Sequence, residues 1–170
     1  MEKVSSSKLN KVIRQLAEER DNLTSLIYTN KTFSAFTGEE PEDARPDVHI
    51  EDTLAEIEKL DSKVVEYKTK LFTYNLMTEI PDQNMSLAQA LVWLPIANNR
   101  LSVLKNLINI REKQRQNIPH VAYNGGVIVE YIYANFDTEK IKEEYIELQN
   151  KITDVQLKIN ELNCIDAIEI

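Results

Sequence analysis

Two clusters of polar residues stand where they could do chemistry. Asn98, Asn99 and Arg100 interrupt an apolar helical stretch, while Arg111, Lys113 and Arg115 form a basic run that leads into His120, Tyr123, Tyr131 and Tyr133. Arginine presents a planar fork that matches phosphate or carboxylate oxygens, and a tyrosine ring stacks on a cation or a flat ligand. These types suggest capture of an anion that carries a ring rather than the breaking of a bond. The same residues also admit a structural reading. Cations in the last turn of a helix complement its dipole, and an asparagine in an apolar stripe often fixes coiled-coil register. Asn98 falls close to the stripe between Leu94 and Leu101, where it would need a buried partner.

Other chemistries are disfavoured by what surrounds the candidate residues. His49 and His120 belong to neither an H-E-x-x-H nor a Glu-x-x-His pair, so no zinc or di-iron ligand set can be written. The acidic residues between Asp47 and Asp52 are those expected at a helix start from the macrodipole. Cys164 is the sole cysteine and has no histidine nearby, and Ser5 to Ser7 lie in a terminal stretch, so neither reads as a nucleophile. With three glycines in all, Gly38, Gly125 and Gly126, neither a P-loop nor a G-x-G-x-x-G turn can be formed. We expect no enzyme, no metal and no cofactor.

Charge and hydropathy narrow the partners. Lys plus Arg is 20 and Asp plus Glu is 28, a net charge of 20 − 28 = −8 that repels nucleic-acid backbones. The opening MEKVSSSKLNKVIRQL is polar where a signal peptide needs an apolar run. No stretch approaches the ~20 apolar residues of a membrane span. A lone cysteine suits a reducing compartment, so the expected location is cytoplasmic, the host cytoplasm if the protein is phage-encoded. The sequons at Asn22, Asn30 and Asn84 then carry no meaning.

The elements that must position these residues read as mostly α: an antiparallel, long-helix coiled-coil bundle with one β-hairpin, folded as a single domain over residues 1–170. Leu9, Val12, Leu16, Leu23, Leu26 and Phe33 predict a first helix over about 6–34. TGEEPEDARPD, residues 37–47, holds two prolines and five acidic residues and predicts a loop. Asp47 or Asp52 could cap a second helix, carried by Ile50, Leu54, Ile57, Val64, Leu71 and Tyr74 and ending near Ile80. Ser86 and Gln89 match a capping box that opens a third helix through Leu87, Leu91, Leu94, Leu101, Leu104 and Ile108, with a kink expected at Pro95. Asp137 caps a fourth, whose Ile141, Tyr145, Leu148, Ile152, Val155, Ile159 and Leu162 alternate four-three as a coiled-coil seam. Between the last two, Asn124-Gly125-Gly126 joins β-branched and aromatic runs and predicts a hairpin over about 120–134. Such a hairpin is marginal alone, and its apolar faces call for burial on both sides, with a subunit interface as the second cover.

Gly38 to Asp43, Asn75, Ser86-Leu87 with Ala90-Leu91, Val129-Glu130-Tyr131, Phe136-Asp137, and Asp154, Gln156 and Asn160 or Asn163 form a series of short motifs along these elements. In that series and in the order of its elements the chain resembles the septicolysin-like family of small bacterial helical proteins. The third helix departs from the family, which is rich in Glu-Arg-Asp after the Ala-Leu where this chain has VWLPIANNRL. The resemblance implies a helical, oligomerising protein without an agreed activity.

The expected function is that of a non-enzymatic homo-oligomer sequestering an anionic, nucleotide-like small molecule between subunits. Its candidate ligand residues are Asn98, Asn99, Arg100, Arg111, Arg115, His120, Tyr123, Tyr131 and Tyr133. If the ligand is an immune second messenger, the protein would be a sponge of the kind a phage could use against host defence. A structural coiled-coil assembly module is the competing expectation, and a membrane-active toxin a third. Neither nucleic acid nor membrane is an expected partner.

Overall fold

The computed structural model describes residues 2–116, 120–121 and 127–170, with the side chains of 120–121 and 127–128 outside the description. The protein is mostly α, with four α-helices and small antiparallel strand pairs among the described residues. It divides into two compact units, one made of residues 1–78 and 161–170 and the other of residues 79–160.

The first unit begins with strand β1 (Lys3–Val4) and helix α1 (Ser6–Asn30). Ser5 caps α1, its Oγ accepting the Lys8 N–H at 3.3 Å. The helix stops short of the expected residue 34. Its last turns are rich in residues that compete for backbone carbonyls, and the side chains of Thr24, Ser25, Thr29 and Asn30 each donate to the carbonyl four residues back. Phe33 therefore leaves the helical stripe and lies beneath the Arg45 guanidinium, 5.3 Å from its ring centroid. The acidic stretch 37–47 contains a 3-10 turn, Pro41–Ala44, rather than loop throughout. Arg45 closes it by gripping both Glu42 carboxylate oxygens at 2.7 Å, which holds the Glu42 carboxyl below its usual range.

Helix α2 (Ile50–Met77) starts from His49, not from Asp47 or Asp52. The Thr53 N–H and hydroxyl both reach the His49 carbonyl, while Glu51 and Asp52 occupy the first turn, where the dipole favours acids. The start of α1 packs against the later half of α2: Leu9 and Ile13 join Val4 and Ile168 in a core flanked by Val64, Tyr67, Leu71 and Tyr74. Ile168 belongs to the C-terminal strand, which pairs antiparallel with β1 (Lys3↔Glu169, Val4↔Ile168) and so ties both ends of the chain to this core.

The second unit opens with a strand pair that periodicity did not reveal. The second helix was expected to run to Ile80, but it ends at Met77, and β2 (Glu79–Ile80) turns back onto β3 (Met85–Ser86). Asp82 and Asn84 take the left-handed conformation in this turn, at φ 61 and 48; such short polar side chains tolerate it best. Gln83 donates to Asp154 at 2.7 Å, and the Lys158 ammonium bonds the Pro81 carbonyl at 3.0 Å and Asp154 at 3.1 Å, which pins the turn. Helix α3 (Leu87–Leu107) follows, with both capping-box bonds formed between Ser86 and Gln89. Pro95 is contained within it, and α-helix continues on both sides.

Beyond α3 the chain forms a ribbon. β4 (Lys113–Arg115) precedes β5 (His120–Val121) and β6 (Val127–Ile128), which pair with each other; β7 (Tyr131–Tyr133) returns along β4. Helix α4 (Thr138–Asn163) starts at Asp137, whose carboxylate accepts the N–H groups of Glu139 and Lys140. It buries Ile152, Val155 and Ile159 of the expected seam. Lys151 lies over Trp93 at 5.4 Å, and the Arg100 guanidinium bonds Glu144. The last turn of α4 belongs to the first unit, and β8 (Ile168–Glu169) is the strand that pairs with β1.

Candidate functional site

The ribbon brings the basic and aromatic candidates together. Tyr131, Ile132 and Tyr133 are β-forming residues, and in the register Lys113↔Tyr133, Gln114↔Ile132, Arg115↔Tyr131 they recruit a polar segment as partner strand. The ladder continues one residue each way, through the Ala134 N–H to the Glu112 carbonyl at 3.0 Å and the Gln116 N–H to the Glu130 carbonyl at 2.9 Å. From Arg115 to His120 the chain advances five residues while its partner moves three, from Tyr131 to Ile128. The register thus differs by two residues between the β4–β7 and β5–β6 pairs.

Residues directly opposite in an antiparallel pair share a face, as do residues two apart. Lys113, Arg115, Tyr131 and Tyr133 therefore stand on one face. By the same alternation, Glu112 and Glu130 take register positions on the other, with Gln114 and Ile132. The Lys113 ammonium sits 4.3 Å from the Tyr131 ring centroid and 5.3 Å from that of Tyr133, and the two rings are 6.5 Å apart at 49°. This is a cation held by two ring faces, with an arginine beside it. Both rings remain open to solvent, Tyr131 at 44% and Tyr133 at 60%. An anion can meet Lys113 and Arg115 while a flat group meets a tyrosine.

The placement corrects several expectations. Arg111, Lys113 and Arg115 do not lie in the last turn of a helix: α3 ends at Leu107, and Lys113 and Arg115 are strand residues. The strand pair reaches back to Lys113, beyond the hairpin expected over 120–134, and in the single chain its β4 and β7 residues are exposed, where burial on both faces was expected. Asn98 is exposed on α3, its amide donating to the Leu94 carbonyl at 2.9 Å, so it needs no buried partner. Asn99 is likewise exposed, and Arg100 is engaged by Glu144. Arg111 is exposed just before β4. His120 lies on β5 opposite Ile128, with its side chain outside the description. Tyr123 and the Asn124-Gly125-Gly126 turn fall outside the described residues. Lys113, which the sequence showed as one cation among three, is the residue that joins the tyrosines. The signal that could have singled it out is its parity with Arg115 opposite a Tyr-x-Tyr strand.

No family model matches the chain, and no curated protein matches it. A crystal structure of a functionally unknown conserved protein from Corynebacterium diphtheriae is similar in fold. It has a TM-score of 0.57 at 15% sequence identity, over 98% of this chain and 99% of that one. At that identity the likeness bears on the fold alone. Among the described residues no group of three His, Cys, Asp or Glu side chains could hold a metal, and no helix is long and apolar enough to cross a membrane. Cys164 is exposed.

Proposed function

We propose that this protein is a non-catalytic binding protein for a small anion bearing a flat ring, captured on the Lys113, Arg115, Tyr131 and Tyr133 face of the ribbon. The observation that supports the reading is the Lys113 ammonium seated between two solvent-open tyrosine rings with a second cation on the same face. Phosphorylated nucleotides combine the two recognised groups, phosphate for the cations and base for the rings. A protein that holds a nucleotide signal without turning it over acts as a sink, which is the sponge role. Binding between subunits would add the cover that one exposed ribbon lacks.

Thermal denaturation of the full chain with mononucleotides and cyclic dinucleotides tests this, because a ligand held only by the native state raises Tm. The expected result is a rise with at least one nucleotide, which is recovered chemically unchanged and whose effect is lost in Lys113→Ala and in Tyr131→Ala. No rise with any nucleotide at millimolar concentration would remove the reading. A second reading, an assembly module, is supported by Val65, Phe72 and Leu76, which repeat along α2 and are more than half exposed.

A further inference from the structure

Helix α3 carries two apolar stripes. Leu87, Ala90, Leu94, Ala97, Leu101 and Leu104 alternate three-four, and Leu87, Ala90, Ala97 and Leu104 are buried. Val92, Ile96, Asn99 and Val103 form a second series with four-three-four spacing, and here the apolar members stay 66%, 63% and 60% exposed. At 3.6 residues per turn the second series lies about 160–200° from the first, on the opposite side of the helix. Over its 21 residues α3 has two charges, Arg100, which is turned to Glu144, and Lys105. An apolar stripe left open to solvent marks an interaction surface, and this helix is not long and apolar enough to cross a membrane.

We propose that the outward stripe of α3 is a self-association seam, in which Val92, Ile96 and Val103 pack against the α3 of a second copy and Asn99 pairs with the Asn99 of that copy. The occupant follows from Asn99. A side-chain amide is both donor and acceptor, so it satisfies its own twin across a twofold axis, whereas a purely apolar partner would leave it unpaired. A single asparagine inside a seam of seven-residue repeat also fixes register and copy number. The helices run antiparallel, since a parallel pair would set Arg100, which flanks the seam, beside its own twin, and the antiparallel pair sets Ile96 against Val103. This seam is separate from the ribbon, so it stands whether or not the ribbon binds an anion, and it gives Asn99 a role other than ligand contact.

Sedimentation of the full chain across the micromolar range tests the seam. The wild type should be a dimer, and Ile96→Lys a monomer with an unchanged far-UV spectrum. Val103→Glu provides a second disruption if Ile96→Lys loses helix. In a Cys164→Ser background, Asn99→Cys should form a disulfide-linked dimer under mild oxidation, in excess of a Glu147→Cys control, and chains with Ile96→Cys should crosslink to chains with Val103→Cys. A wild-type monomer at every concentration overturns the proposal. So does a dimer that survives both disruptions, or one that gives no Asn99→Cys crosslink above the control.

Discussion

Lys113 reaches two rings because strand pairing sets it opposite Tyr133 and diagonal to Tyr131, a distance a four-carbon stem can span. Its charge and its position are therefore separable. Lys113→Arg should retain most nucleotide-induced stabilisation and Lys113→Met should lose it, with Tm measured at saturating ligand. Elsewhere, ion pairs act on stability. The hydrogen bond that the Lys158 ammonium donates to Asp154 raises the Lys158 pKa, with Asp82 adding to it. A raised folded-state value means the contribution is full below the unfolded value of about 10.4 and is lost as pH rises through the folded one. Lys158→Met should thus lower the urea midpoint at neutral pH, with the two curves converging in strong alkali. Lys8 acts in the opposite direction on Glu2, lowering its pKa chiefly by a hydrogen bond. That contribution is present above about pH 4.3 and fades as pH falls through the lowered folded value, so Glu2→Gln and wild type should converge in acid. Both effects are small, because the groups are solvated.

Among the elements, the caps of α3 and α4, the α4 seam and strands within the expected hairpin over 120–134 were readable, whereas the α2 cap and the strands β1 to β4 and β8 were not. Ser86-x-x-Gln89 and Asp137 announce the starts of α3 and α4 because a cap is a local bond between neighbours in sequence. Ser86→Ala should cost about 0.5–2 kcal/mol in chemical denaturation, since it leaves the Gln89 N–H without its acceptor. The seam of α4 was equally plain, for its repeat is unbroken and buries Ile152, Val155 and Ile159. By contrast, Lys113-Gln114-Arg115 has no apolar alternation, and its strand character is conferred by Tyr131–Tyr133 across the ribbon. β1 and β8 meet from opposite ends of the chain, a pairing that no window of sequence contains. The early end of α1 was legible in principle, through the density of Thr, Ser and Asn after Arg20, but the apolar stripe running on to Phe33 masked it. Of the candidate site, residue types were legible and faces were not: the tyrosines and cations were named, while their shared side of the ribbon required the register.

At the scale of the molecule, each of the two compact units carries its own probe residue. Leu9, fully buried with Val4 and Ile168, anchors the first unit, so Leu9→Ala should cost about 2–5 kcal/mol there, measured by loss of helical signal on heating. The second unit holds the candidate ribbon and the α3 seam, so both proposed binding surfaces depend on its integrity. It also holds the chain's single tryptophan, Trp93, half-buried with Lys151 over its ring. That contact makes the second unit optically addressable. Trp93 emission follows the packing of α3 against α4, whereas far-UV dichroism sums the helices of both units. In Leu9→Ala the dichroism transition should move to lower temperature while the emission transition holds, giving two non-coincident unfolding curves from one unlabelled protein.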